Sequence, residues 1–303
     1  MKTVANHSLK KLLLAAAAMT FFAANSVLCR MALTETDIDP ASFTSIRLLS
    51  GAAMLYALVC FFPRKKDPEE NCRLLHRPME HWLAAAMLFL YAAAFSFAYL
   101  YLDTGMGALI LFAFVQLTMF AYSHYKEGGA SGLEYIGALI AICGLGYLVS
   151  PGMNAPNAWG AGLMAISGVA WGVYSVLGKE MKVTQLVANC VNFRLSLFFV
   201  VPFFLLNIPM NALSEEGVWL AIASGAIASA VGYAVWYGVV VQFKATQAGV
   251  MQLTVPVIAA VGGYLFLAEG LTLRMVISGG VILLGITITF LAKDKRALST
   301  SDT

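Results

Sequence analysis

The sequence predicts an all-α polytopic membrane protein, with ten transmembrane helices arranged as two inverted five-helix repeats. Three observations carry that prediction. The chain of 303 residues is 60% hydrophobic and only 12% charged. An ordinary soluble domain is about 25% charged, so a water-soluble globule of this size could not cover its surface. The apolar residues gather into ten runs near the roughly 20 residues that cross a hydrocarbon core of about 30 Å. Patterns in the first half of the chain also recur in the second. Intrinsic disorder is excluded as well, since it needs low hydrophobicity and high net charge.

The first span, residues 12–30, follows Lys10-Lys11 and carries Asn25. A lysine pair before an apolar run imitates a signal peptide, and Cys29 invites a lipoprotein reading. Ser26-Val27-Leu28 lacks the small pair such processing favours, and the repeat requires this helix, so it is expected to stay. The second span, 41–62, carries Arg47, and the third, 82–102, carries Tyr91 and Tyr99. Between them runs the longest connection, Pro63 to His81, with Arg64, Lys65, Lys66, Arg73 and Arg77. The fourth span, 104–123, holds Gln116 and a Leu109–Phe114 stretch that is apolar throughout. A membrane β-barrel would need alternating strands of about ten residues instead, so helices are preferred. The fifth, 133–150, contains Gly137-x-x-x-Ala141, and the sixth, 158–178, contains Gly168-x-x-x-Gly172. Such small-residue spacings let helices approach closely, here within the bundle. The seventh span, 186–206, carries Arg194, and the eighth, 217–240, carries Tyr233, Trp236 and Tyr237. The ninth, 246–268, holds Gln252 and Thr254, and the tenth is 274–292.

Orientation follows from the basic residues. With the N-terminus cytoplasmic, inner segments hold 15 of the 19 Lys and Arg, outer segments only Arg30 and Arg274, and two lie within spans. Both termini are therefore expected inside, in a bacterial inner membrane.

The halves resemble one another. Ser26-Val27-Leu28-Cys29-Arg30 matches Ser175-Val176-Leu177-Gly178-Lys179, and Arg47 matches Arg194. Tyr91 falls on Tyr233, Thr104 on Thr246, Gly107 on Gly249, Glu127-Gly128 on Glu269-Gly270 and Gly137 on Gly279. Five spans per half is an odd number, so the second half enters the membrane from the opposite side. The division is 1–150 for the first repeat, 151–295 for the second and 296–303 for a cytoplasmic tail. Inverted repeats of this kind suit secondary transporters, with a solute site near the midplane.

On these patterns the chain resembles the EamA-type branch of the drug/metabolite transporter superfamily. The stretches concerned are Ala170-Trp171-Gly172, Ser45-Ile46-Arg47-Leu48-Leu49, Asn192-Phe193-Arg194-Leu195, and Ala245-Thr246 leading through Pro256 to Leu267-Ala268-Glu269-Gly270. The resemblance implies a ten-helix basket that carries metabolites, amino acids or toxic compounds, often outward. Phe114 stands where Pro256 stands in the second half, and Phe22-Ala23-Ala24 replaces the Trp-Gly of span six.

The chemistry that is missing narrows the function. There is no Gly-rich phosphate loop with a following Lys-Ser/Thr, so ATP does not drive the protein. The four histidines (His7, His76, His81, His124) lie in loops or at span ends without metal-ligand spacing, and five cysteines (Cys29, Cys60, Cys72, Cys143, Cys190) form no paired pattern. No cofactor, metal or nucleic-acid partner is expected, and no catalytic constellation points to an enzyme. A non-transporting scaffold and an intramembrane enzyme are the alternatives. The expected partners are a small-molecule solute and the bilayer, with monomer and homodimer both open. Asp103, Glu127, Glu134, Glu215, Glu216 and Glu269 sit at span ends or in loops. Proton-coupled carriers usually hold an ionisable group within a span, so facilitated diffusion or exchange fits better.

Candidate cavity residues are the polar and aromatic side chains within spans: Asn25, Tyr91, Tyr99, Gln116, Trp171, Tyr174, Tyr233, Trp236, Tyr237, Gln252 and Thr254. Trp171, Tyr174 and Ser175 share one helix face, as do Tyr233, Trp236 and Tyr237. Aromatic faces with a few hydrogen-bonding groups suit amphipathic metabolites. Packing or an interfacial belt is the alternative role. Arg47 and Arg194 are charges inside the membrane that must snorkel to carbonyls and headgroups near their own side or find a partner, the alternative role being to attract an anion at the cavity mouth. Paired with Glu269 and Glu127, they are expected to form an outer and an inner gate.

Overall fold

The structure is a computed structural model that describes residues 2–61, 79–126, 130–181, 183–207, 212–243, 248 and 251–301. Among these residues the secondary structure is helical, without a strand. The helices are α1 (Lys2–Glu35), α2 (Pro40–Phe61), α3 (Met79–Ala98), α4 (Thr104–Lys126) and α5 (Gly132–Val149). They continue with α6 (Ala158–Glu180), α7 (Gln185–Leu206), α8 (Glu215–Val239), α9 (Thr254–Leu267) and α10 (Leu273–Ser301). Nine of these described helices are long and apolar enough to cross a membrane, and α9 is shorter. The chain is an all-α polytopic membrane protein.

Local chemistry explains the helix ends. Pro40 opens α2, where its fixed φ suits a helix and its missing N–H would have had no partner. Asp39 caps that end: its Oδ1 accepts from the Ala41 and Ser42 amides at 2.9 and 3.0 Å. Its Oδ2 accepts from the Ala212 amide at 2.9 Å, tying the start of α2 to the segment before α8. Ser131 and Glu134 form a reciprocal capping box at the start of α5, satisfying two amides that the helix leaves open. Pro256 falls in the first turn of α9, a position that tolerates proline. The ninth span read from sequence began at residue 246, and its first five residues lie largely outside the described set.

Small residues set the closest approaches. A Cβ on Gly168 would lie 2.7 Å from the Leu111 carbonyl, and one on Gly172 would lie 2.7 Å from the Thr118 Cβ. The Gly168-x-x-x-Gly172 face therefore seats α6 on α4. Gly137 and Gly285 face each other across α5 and α10: a Cβ on either would come 2.6 Å from the other's carbonyl. The tightest contact lies between α8 and α2, where a Cβ on Gly225 would be 2.1 Å from the Arg47 carbonyl.

Helix α8 is not α-helical throughout. Ala223–Val231 winds as a π-helix between two α-helical segments. A π-helix repeats its hydrogen bonds at i→i+5 and brings residues five apart onto one face. Ser224 and Ser229 are such a pair.

The main helix contacts are α3–α6, α4–α6, α2–α8, α2–α7, α3–α7, α5–α10, α4–α9, α1–α9 and α1–α8. Helices α2, α3, α6, α7, α8 and α1 thus surround the middle of the bundle, where the polar and aromatic side chains of the spans converge.

Candidate functional site

An aromatic cluster joins α3, α6 and α8. Trp171 on α6 is its centre: it contacts Tyr91 of α3 at a ring separation of 4.7 Å, and stacks on Tyr174 at 5.1 Å and on Tyr233 of α8 at 5.5 Å. Tyr237 adjoins Tyr233 at 6.4 Å, and Phe22 of α1 lies 5.6 Å from Tyr233 and 6.2 Å from Trp236. Tyr91, Tyr174, Tyr233 and Trp236 are buried, whereas Trp171, Tyr237 and Phe22 are half-buried. Rings spaced in this way form offset or edge contacts, each worth about 0.5–1.5 kcal/mol beyond area burial.

Polar groups flank the cluster. The Tyr174 hydroxyl donates to Asn189 of α7. Asn25 is buried on α1, and its Oδ1 accepts from the Ser224 hydroxyl at 2.9 Å and the Ser229 hydroxyl at 3.2 Å. An α-helix would turn those two serines apart; the π-helical turn presents both to one amide. His81 Nδ1 and Asn192 Oδ1 are 2.9 Å apart and both side chains are buried.

Arg47 sits beside the cluster and is only 2% exposed. Its Nη2 donates to the Tyr91 hydroxyl at 3.0 Å, and its guanidinium carbon lies 5.3 Å from the Tyr91 ring and 4.9 Å from the Phe95 ring. Its Nη1 has no hydrogen-bond partner among the described residues. Neither snorkelling nor the expected pairing with Glu269 is found. The arginine stays inside the bundle, held by aromatic faces and one phenol. Arg194 is half-buried over the Tyr56 ring at 5.5 Å. Its expected partner, Glu127, lies outside the described residues.

Glu269 pairs instead with Arg30, a residue the sequence placed in an outer connection. Helix α1 runs five residues past Arg30 to Glu35, so the arginine projects from within a helix. Arg30 Nε lies 3.1 Å from Glu269 Oε1, its Nη1 donates to the Tyr99 carbonyl at 2.6 Å, and its Nη2 lies 3.6 Å from Asp103. Glu269 Oε2 accepts from the Thr104 amide at 2.8 Å, at the N-terminus of α4, where the helix dipole favours a negative charge. The carboxylate can fold back because Ala268 takes a left-handed φ of 51° and because Gly263 lacks a side chain: a Cβ there would be 2.3 Å from Glu269 Oε2. One cluster thus latches the ends of α1, α3, α4 and α9. Tyr99 belongs to it, donating from its hydroxyl to the Thr104 carbonyl at 3.2 Å.

The sequence-derived candidates therefore divide. Tyr91, Trp171, Tyr174, Tyr233 and Tyr237 come together, with Trp236 joined through Phe22, while Asn25 is held by Ser224 and Ser229 of α8. Gln116 is buried with its Nε2 unpartnered among the described residues, and Gln252 is half-buried. Thr254 is exposed and spends its hydroxyl on the Met251 carbonyl. The sequence reading missed Asn189 and Asn192, whose polar side chains three residues apart in an apolar span were the available signal. It also missed Ser224, Ser229 and Arg30. Among the described residues no cluster of His, Cys, Asp or Glu could hold a metal ion.

Comparison with known proteins agrees with this architecture. The sequence profile of the EamA-like transporter family matches residues 158–291. An uncharacterized protein of Pseudomonas aeruginosa is 41% identical over 288 residues, covering 95% of this chain and 97% of its own. An uncharacterized transporter of Archaeoglobus fulgidus is 25% identical, covering 91% of this chain and 96% of its own. The uncharacterized transporter YoaV of Bacillus subtilis is 22% identical, covering 84% and 89%. A solved crystal structure matches with a TM-score of 0.60 at 18% identity, over 92% of this chain and 98% of that one, a likeness of fold alone. Ten apolar helices among the described residues, an interior that gathers aromatic and polar side chains, and these relatives together place the chain in the EamA-like transporter family, as a membrane transporter.

Proposed function

We propose that the protein is a secondary transporter that carries small amphipathic organic solutes outward across the bacterial inner membrane by alternating access. The two halves, 1–150 and 151–295, would rock about the Trp171 cluster, with residues 296–303 as a cytoplasmic tail. The observation that carries the reading is the cluster itself, in which Tyr91 of the first half and Trp171, Tyr174 and Tyr233 of the second share one set of rings. Solute bound there touches both moving parts.

The helix contacts support an inverted repeat. Advancing each helix by five positions turns α3–α6 into α8–α1, α4–α6 into α9–α1 and α2–α8 into α7–α3, and all six pairs are in contact. The pairs α2–α7, α4–α9 and α5–α10 map onto themselves. In the orientation set by the basic residues, the Arg30–Glu269 latch closes the outer end. Either a monomer or a dimer can work this way.

Coupling to protons is not part of the proposal. Among the described residues, Asp103, Glu134, Glu215, Glu216 and Glu269 lie at or beside helix ends, not at mid-span where burial would tune a proton carrier. Downhill solute flux in reconstituted vesicles should therefore persist when a protonophore is added. Loss of downhill flux on adding it would reject the uncoupled mechanism, and flux no faster than in empty vesicles would reject transport.

A further inference from the structure

The geometry points to Arg47 as the binding group for a carboxylate, which makes the transported solute an organic monoanion with a flat apolar body. This inference rests on the transport reading above and adds the charge class of the solute. Arg47 lacks a counter-charge: among the described residues it enters no ion pair, whereas Arg30 enters two. A guanidinium has five N–H donors and cannot shed its proton in a protein. A buried charge without a partner is strongly unfavourable. At 2% exposure Arg47 is also shielded from bulk solvent.

The surroundings satisfy the cation only in part. Tyr91 supplies one hydroxyl, and the Tyr91 and Phe95 rings supply their faces. Nη1 is left without an acceptor among the described residues. Arg30 is given Glu269 and Asp103; Arg194 and Arg274 also leave Nη1 without an acceptor among the described residues, but both are half-buried, whereas Arg47 is buried. The planar fork of Arg47 instead keeps one unpartnered donor, Nη1, closed in this conformation beside a wall of rings, and the alternating-access movement would open it to solute. Through Tyr91 that wall continues to Trp171 at 4.7 Å and from there to Tyr233 at 5.5 Å. A carboxylate meets the fork in two parallel hydrogen bonds, while an attached flat body lies against the rings. Aliphatic cations are disfavoured by Arg47, and hydrophilic anions gain nothing from the rings.

The charge class also fits the missing proton coupling. An inside-negative potential drives a monoanion outward, sustaining roughly a fiftyfold concentration ratio per 100 mV. Export of such a solute needs no mid-span carboxylate.

The test is thermal stabilisation of the purified full-length protein by phenylacetate, phenylpropionate and hippurate, each against its neutral amide, with acetate as a carboxylate lacking a ring. The expected result is a concentration-dependent rise in Tm with at least one of the three acids, absent with its amide and with acetate. Arg47→Gln should bind that acid about 10- to 100-fold more weakly. Arg47→Lys, which keeps the charge and loses the fork, should fall between. The basal Tm of Arg47→Gln should be at or above that of the wild type, because an uncompensated charge has been removed. Equal stabilisation by acid and amide, an undiminished acid shift in Arg47→Gln, or no shift with any of the three acids would each overturn the assignment. The acid-amide comparison uses the unaltered protein and stands even if both variants misfold. Vesicle flux separates the two levels: transport of the neutral amides without the acids would overturn the anion site and leave the transport reading intact.

Discussion

Replacing Trp171 with Ala is expected to lower solute flux about tenfold or more. Among the described residues, Trp171 is the one ring that contacts Tyr91, Tyr174 and Tyr233 together. At about 0.5–1.5 kcal/mol per aromatic pair, losing all three contacts removes enough energy to weaken a shared site by at least a factor of ten. The half-buried position of Trp171 means that its truncation leaves a smaller void than a fully buried tryptophan would. Trp171→Phe should keep the fold and part of the stacking, with flux between wild type and Ala. Flux per folded molecule in vesicles, set beside the Tm in detergent, checks this. A fall in Tm with normal flux from the remaining folded protein would make the cluster a packing core.

The second large effect concerns the latch. Arg30→Met or Glu269→Gln alone is expected to cost about 2–3 kcal/mol, somewhat below the value for fully buried pairs, since their side chains are 17% and 11% exposed. Each single change leaves the other charge without its main partner inside the bundle. The double variant should be less destabilised than the sum of the singles, a coupling that a double-mutant cycle measures directly. If the latch closes the outer end, the same cycle on transport rates should be non-additive too. Strict additivity in stability would mean that the Arg30–Glu269 contact contributes nothing, and additivity in rate alone would confine it to stability.

The membrane class was legible in the sequence, and each of the ten apolar runs holds a described helix, nine of them of membrane-crossing length, because hydropathy over about 20 residues reports the one constraint that every spanning helix obeys. The aromatic cluster was legible too. Trp171 and Tyr174 share a face at helical spacing, and so do Tyr233 and Tyr237, which left the packing of α6 against α3 and the meeting of Trp171 with Tyr233 to be supplied. The charge pairing was not legible. The first span ended at Arg30, so that residue read as an outer-segment charge and Arg47, well inside the second span, as the charge in need of a carboxylate. Helix α1 continues to Glu35, and that extension turns Arg30 inward to Glu269. The π-helical turn in α8 was hidden for a related reason. Ser224 and Ser229 sit on different faces at a period of 3.6, and only the five-residue repeat aims both at Asn25.

The glycine at 263 shows how a site can depend on an absent side chain. With any Cβ there, the Glu269 carboxylate could not fold over the end of α9 to reach both Thr104 and Arg30. Sequence shows that glycine as one small residue among many in a membrane helix. Its role depends on the left-handed turn at Ala268, which no periodicity encodes.

The most direct test of alternating access is counterflow. Vesicles containing the protein are preloaded with one unlabelled solute and diluted into a trace of the same solute carrying a label. The solutes are hippurate, its neutral amide and benzoyl ethylenediamine, which differ in charge and share a ring. For at least one of them, the label should accumulate transiently above its equilibrium level, because returning sites exchange inner solute for outer. Entry unaffected by the preload would describe a channel, and entry equal to that in empty vesicles a protein that does not transport; either result would contradict the account.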